Sequence, residues 1–434
     1  MRPLLLLLLP LLLALPLPLQ AATPLEAKVD AYLRPYIDYH TFNGVVLIAK
    51  GDEVVFSKGY GMANYEFGVP NRPDTRFAIA SITKRFTRII LDRLVAEEKL
   101  GLNDPLAKWV PDFPQAVKIT VDHLIRHRSG VRDPVKLRRI VRTNFTTGEV
   151  VDQLKLEPLG SAPGEVSSYT TANYTILAHI IERVTGKSFE EAVRKYVYDP
   201  AGMRDSGELT TTAVVPRLAT GYMPNAHGAG LAVSGPEDTS WKTGGGSSYA
   251  TARDLHRFVR AFYGGKLAPK PLELIPPGEV LGKRVATSGG AFPGAGATVL
   301  YDLDDEVTVA VMTNNYSTVW VAIGQDLLAL YLGKPYTVPR VELSASQEPD
   351  PRTFGTYEVV DRGWTYRIGA RNGRMYGGND ALRRSAMLRT KDGMWFLPLD
   401  WQKVDLRFDA NGKFTEGWMH TPGDDKPLKM IRTE

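Results

Sequence analysis

Cysteine is absent from all 434 residues, which excludes disulfides, thiolate metal sites, lipid attachment through a mature N-terminal cysteine and cysteine nucleophiles. The fold has to stand on its core alone. An excess of one charge is also scarce: 53 basic and 48 acidic residues leave a formal +5. That excess is spread along the chain with no basic stripe, so nucleic acid is not an expected partner. No Gly-x-Ser-x-Gly occurs, so the nucleophile elbow of α/β-hydrolases has no support. His123 and His127 sit four residues apart but lack the Glu of His-Glu-x-x-His, and no phosphate-cradling glycine loop leads into a helix. No metal and no cofactor is expected.

Long apolar runs are confined to the first residues. A leucine-rich stretch after Arg2 ends in Gln20-Ala21-Ala22, the small-residue ending of a secretory signal peptide. Prolines at 10, 16 and 18 break it, and a proline inside a helix costs roughly 3 kcal/mol. The stretch therefore reads as a cleaved leader, with the mature protein periplasmic or secreted and without a stable membrane anchor.

Residues 24–40 read as a helix kinked or shortened at Pro35, and 45–49 and 54–57 as a β-hairpin across Lys50-Gly51-Asp52-Glu53. A second hairpin is expected at 298–302 and 307–312, followed by a helix over 319–332. Between the hairpins, helices are expected at 81–100, 121–128, 174–185, 188–197 and 252–263. This pattern predicts an α/β chain of the α+β type: an antiparallel sheet built from the two ends, flanked by helices, plus an α-helical lobe with a cleft beside it. From about 341, short strand-like runs alternate with turns such as Asn372-Gly373 and Asn411-Gly412, which predicts a small C-terminal all-β domain. The boundaries expected are 1–22 for the leader, 23–340 for the main domain and 341–434 for the β domain. Four of the seven tryptophans, at 364, 395, 401 and 418, lie in this last part, suited to a compact core or a ligand platform.

Ser81-Ile82-Thr83-Lys84 is the only Ser-x-x-Lys in the chain, and it opens a helix that Gly101 is expected to stop. Residues three apart meet on one helical face, so the Lys84 amine can reach the Ser81 hydroxyl. A serine is a weak nucleophile until a base takes its proton, and a desolvated lysine can serve as that base. The tetrapeptide alone is equally compatible with an N-cap and a solvated lysine.

Around it stand Asp74-Thr75-Arg76-Phe77-Ala78-Ile79-Ala80 and Lys99-Leu100-Gly101-Leu102-Asn103-Asp104-Pro105. Further along come Ile119-Thr120-Val121-Asp122-His123-Leu124, His127-Arg128-Ser129-Gly130 and Pro163-Gly164. With these motifs, roughly residues 25 to 335 resemble the class C serine β-lactamases and their relatives among penicillin-binding proteins, D-alanyl-D-alanine peptidases, D-aminopeptidases and esterases. The resemblance implies an acyl-enzyme on Ser81 with Lys84 as base. It places Tyr169 in a Tyr-x-Asn element beside the nucleophile, where a neighbouring ammonium would lower the phenol's pKa. Thr171 stands where the family has the substrate-holding asparagine, and Asn173 is the nearest amide.

The family's Lys-Thr-Gly or His-x-Gly strand motif aligns with Thr287-Ser288-Gly289, which has no cation, and the oxyanion hole is implied at the amides of Ser81 and Gly290. Thr287, Ser288, Gly289 and Thr171 are the substrate-binding candidates. A literal Lys242-Thr243-Gly244 leads into a helix rather than a strand and reads as a decoy; Lys283 and Arg284 are the more plausible replacement cations. The expected function is an exported serine hydrolase acting on a small-molecule or peptide substrate, an ester or an atypical D-amino-acid amide. The alternatives are a β-lactamase or D-alanyl-D-alanine carboxypeptidase, and a binding protein that keeps the fold without turnover. Oligomeric state stays open.

Overall fold

A computed structural model describes residues 23–134, 144–210, 212–224, 230–235, 238–379, 385–422, 424 and 426–434; the leader expected over 1–22 lies outside them. Helix α1, Pro24–Asp38, is capped by the Thr23 side chain and continues through Pro35 for three more residues. It leads into strands β1, Gly44–Lys50, and β2, Glu53–Tyr60. Helix α2 spans Thr83–Ala96, α3 Val121–Ile125, α4 Thr147–Leu154, α5 Ala172–Thr185 and α6 Ala252–Tyr263. Strands β3, Gly278–Val280, β4, Lys283–Phe292, β5, Ala295–Asp302, and β6, Val307–Thr313, follow, and then helix α7, Trp320–Tyr331.

These six strands form one antiparallel sheet in the order β3-β4-β5-β6-β1-β2, so the two sequence-distant hairpins meet along β1 and β6. Both faces are covered. On β1, Val45, Leu47 and Ala49 join a core with Phe86, Ile89 and Ile90 of α2, whereas Val46 and Ile48 join one with Val29 and Leu33 of α1 and Ile323 and Leu327 of α7. A strand buried on both sides reads as a continuous apolar run, as Val45-Val46-Leu47-Ile48-Ala49 does.

The helix expected over 81–100 is divided. A 3-10 turn, Ala80–Ile82, precedes α2, and α2 ends well before Gly101. Glu98 adopts φ 55 while its N–H bonds Val95 O and the Lys99 N–H bonds Leu94 O, a Schellman closure that usually uses glycine.

The C-terminal strands make a nine-stranded, nearly closed antiparallel sheet running from Ser385–Ala386 to Leu388–Arg389, with Gly355–Val359 and Leu428–Arg432 paired at its centre. Trp395 lies in its core. Trp401 and Phe396 instead pack on the end of α1, with ring centroids 4.5 Å from Tyr36 and 5.2 Å from Tyr39 respectively; Trp364 is exposed. The C-terminal tryptophans are thus divided between core, junction and surface. A cavity of about 460 Å³ lies at this junction beside Tyr39, Met375 and Leu399 and is lined by none of Ser81, Lys84 and Tyr169. No helix among the described residues is long and apolar enough to cross a membrane.

Candidate active site

Ser81 is presented by a turn under tension. Ala80, before it, has φ 45, a left-handed conformation costing about 1–2 kcal/mol for a residue with a Cβ. Four large apolar side chains of α2, Phe86, Ile89, Ile90 and Leu94, are fully buried, each contributing roughly 1.5–3 kcal/mol. The anchorage outweighs the strain and holds the hydroxyl at the head of the helix.

Lys84 follows one turn later and is only 7% exposed. Its Nζ donates to Ser81 Oγ at 3.2 Å and to the Gly245 carbonyl at 2.5 Å. Burial drives its pKa from 10.5 down to about 7; Asp133 opposes the shift and the Lys242 ammonium adds to it. A lysine near 7 has an appreciable free-amine fraction at neutral pH, which a general base needs.

Tyr169 lies 2.8 Å from Ser81, hydroxyl to hydroxyl, and its ring is 5.0 Å from Lys84 Nζ. Its phenol pKa is raised, not lowered. Burial of the hydroxyl end outweighs the lowering from the Ser81 hydrogen bond and from Arg85. The expected phenolate therefore gives way to a neutral phenol, beside a lysine that has itself lost most of its hold on the proton.

Thr171 directs its methyl to the turn that holds Lys84: a Cβ on Gly245 would lie 2.7 Å from Thr171 Cγ2. Asn173 offers no replacement amide. It is 1% exposed, with Oδ1 accepting from Ser129 at 2.5 Å and Nδ2 directed to His127 Nδ1 at 3.4 Å. The other histidine, His123, accepts the Thr120 N–H at the head of α3.

The strand register shifts by one residue from expectation. Val285 belongs to the core under α7 and Ala286 to the core under α2, and side chains alternate along a strand. Thr287 and Gly289 thus face α7, where a Cβ on Gly289 would lie 2.9 Å from the Trp320 ring. Ser288 and Gly290 face Ser81; a Cβ on Gly290 would lie 2.4 Å from Ser81 N. The residue facing Ser81 where the family carries its cation is Ser288, and Thr287 and Gly289 turn away.

Backbone groups follow the same parity. The Leu303 N–H bonds Arg284 O at 3.0 Å, and such bonded pairs recur at every second residue of an antiparallel ladder. The Gly290 N–H is therefore spent on Ala297, its partner in register. The Ala291 N–H points to the open edge of β4, where pairing with β3 has ended at Val285. The amide expected at Gly290 is replaced by that of Ala291.

Lys283 and Arg284 pair with Asp305 at 2.6 Å and Asp304 at 2.9 Å, at the end of β4 away from the nucleophile. Lys242, read as a decoy, lies at the site instead. It belongs to a 3-10 turn, Ser240–Lys242, so its Lys-Thr-Gly is no strand motif. Its carbonyl accepts the N–H groups of Gly245 and Gly246. Its stem crosses Gly246, where a Cβ would meet Lys242 Cδ at 3.5 Å and the Ala80 carbonyl carbon at 3.8 Å. Its ammonium is 4.4 Å from the Phe292 ring centroid, at the border of a groove of about 340 Å³ lined by Phe77, Asp238, Phe292 and Thr313. No local signal marks Lys242, because its place depends on a turn packing over α2 from more than 150 residues away.

Comparison with known proteins agrees with this architecture. The sequence model of the family described as Beta-lactamase matches residues 29–332. The putative penicillin-binding protein PbpX of Bacillus subtilis (strain 168) is 29% identical over 240 residues, covering 55% of this chain and 59% of that protein. The teichoic acid D-alanine hydrolase of Staphylococcus aureus (strain MRSA252) is 31% identical over 254 residues, covering 57% and 60%. The matches thus span about 60% of the length of these curated relatives. The octameric penicillin-binding protein homologue from Pyrococcus abyssi superposes with a TM-score of 0.64 at 21% identity, covering 93% of this chain and 99% of that one. That likeness is one of fold and is too long to leave out the C-terminal sheet.

Proposed function

Since the chain belongs to the beta-lactamase family of serine hydrolases, we propose that it cleaves a small acyl group from an ester through a covalent intermediate on Ser81. One observation carries this reading: the Ser81 hydroxyl stands within hydrogen-bond reach of both Lys84 Nζ and the Tyr169 hydroxyl, while Ser288 and Thr171 provide neither the cation nor the amide that a penicillin or D-alanyl-D-alanine peptide would use.

In this reading the Lys84 amine takes the proton of Ser81 as Oγ attacks the carbonyl carbon. The oxyanion is held by the N–H groups of Ser81 and Ala291, donors that work for any acyl group because they belong to the backbone. The Lys84 ammonium returns its proton to the leaving oxygen by way of the Tyr169 hydroxyl. Water then attacks the acyl carbonyl carbon, its proton passing by the Tyr169 hydroxyl to the Lys84 amine, and the resulting ammonium returns that proton to Ser81 Oγ as the carbon–Oγ bond breaks and the acid leaves. The relative that is a D-alanine hydrolase makes the D-alanyl group the first acyl group to try. Export by the leader belongs to the same reading.

Rates on 4-nitrophenyl and D-alanyl esters, set against a penicillin and a D-alanyl-D-alanine peptide, test it, with intact mass naming any adduct. Faster cleavage of the penicillin or the peptide than of every ester overturns the ester assignment. Mature protein recovered from the medium or periplasm should begin at residue 22 or 23.

A further inference from the structure

Tyr169 is the member of the site with least around it. It is 63% exposed and lies in a segment, 166–170, without regular secondary structure. A phenol so placed has rotational freedom, yet its hydroxyl stands 2.8 Å from Ser81. Asp133 ties the residues that follow Tyr169, accepting from the Thr170 hydroxyl and the Ala172 N–H, but the ring itself is restrained by one side chain. The His127 imidazole lies 4.5 Å from the Tyr169 ring at 34° and 5.3 Å from the Tyr174 ring at 35°. Its Nδ1 accepts the Thr170 N–H at 3.3 Å and faces the Asn173 amide at 3.4 Å. Its carbonyl accepts the Ser168 N–H at 2.8 Å, so the residues on both sides of Tyr169 are tied to the same histidine.

His127 holds this position at φ 57, a conformation unfavourable for a residue with a Cβ, and such strain persists only where the surroundings over-determine it. Burial, aided by the nearby Lys84 ammonium, lowers its pKa to about 4. The ring can therefore accept an N–H and lie beside Lys84 without adding a second charge.

We propose that His127 is a positioning residue: its ring is the shelf that sets the Tyr169 phenol over Ser81. The inference rests on the reading of Tyr169 as the proton relay. The histidine touches no substrate and exchanges no proton in the reaction; it acts only through the tyrosine.

A double-mutant cycle on the full chain separates this from a merely structural role. With the best ester, His127→Ala should lower kcat by on the order of tenfold to a hundredfold, as a displaced catalytic group does, with KM within about twofold. In the Tyr169→Phe background the same change should cost less than about threefold, since the hydroxyl being positioned is gone. His127→Phe, which keeps the ring, should recover more of the rate than His127→Gln, which keeps only an acceptor; this pair decides the matter if His127→Ala does not fold. Equal losses in both backgrounds, or a better rate from the glutamine than from the phenylalanine, overturns the proposal. Full activity in Tyr169→Phe alone would instead remove the relay reading on which it rests.

Discussion

The two sides of the active site are held by different physics. Ser81 stands in the 3-10 turn that leads into α2 and Lys84 in the first turn of α2, whose apolar face is buried; Lys84 is itself 7% exposed, and burial there brings an amine's pKa to about 7. Tyr169 comes from an irregular segment, is 63% exposed, and is held by a few hydrogen bonds and a ring contact. Under the proposed mechanism, the difference means that the buried side governs whether a proton can leave, and the exposed side whether it has a path. Lesions on the two sides should therefore differ in kind.

The largest effects belong to the buried side. Ser81→Ala should abolish the covalent adduct seen by mass or by a fluorophosphonate probe, and Lys84→Ala should slow acylation by roughly 10²–10⁴ as a lost general base. Adduct formation in Ser81→Ala at the wild-type rate would place the nucleophile elsewhere. Tyr169→Phe comes next, with kcat down by on the order of a hundredfold and the melting temperature nearly unchanged, because the ring and its contact with His127 remain. A drop in stability matching that of a core substitution would contradict the distinction between the two sides.

Gly290→Ala tests where they meet. Its Cβ would fall 2.4 Å from Ser81 N and 2.5 Å from Ile79 O, both backbone atoms that cannot swing aside. We expect a kcat loss of about tenfold or more together with a destabilisation of about 1–3 kcal/mol, measured by denaturant titration. Gly289→Ala meets the Trp320 ring instead and should lower stability with less effect on kcat. The reverse ranking in kcat would restore the register expected from the sequence.

The smallest effect is a shift along the pH axis. The proposed mechanism needs the neutral amine, so kcat/KM should rise with pH through about 7, the pKa of buried Lys84. Lys242 helps depress that pKa, so Lys242→Gln should move the rising limb to higher pH. The shift should be smaller than the one due to burial, which is the leading cause. Linkage has the same sign: a lysine with a lowered folded pKa favours the native state most above its unfolded value near 10.5, and that contribution is lost as pH falls towards 7. An unmoved limb in Lys242→Gln would show that the two ammonium groups do not interact.

What could be read before folding follows from how far apart the cooperating residues lie. Ser81 and Lys84 lie three residues apart, in a 3-10 turn and the helix it leads into, and that spacing already brings amine and hydroxyl together. The two hairpins were legible from their alternation and turns, as was α6 over 252–263, from its apolar period. Tyr169 is 88 residues from Ser81, and only resemblance to a family pointed to it. His127 was visible as a motif residue, but nothing local announced a ring packed on Tyr169.

Sequence by itself determined the helix that follows Ser81 and carries Lys84, the apolar strands that bury both faces of the sheet, and the absence of any thiol chemistry, because each depends on residue type and near-neighbour spacing. Only the tertiary structure decided that Ser288 and Gly290 face Ser81, that Ala291 has the open amide, and that Lys242 crosses to the site from a turn. Those outcomes depend on the parity of a strand against its neighbours and on which loop packs over which helix. A run such as Thr-Ser-Gly-Gly has no side-chain pattern by which either could be read in advance.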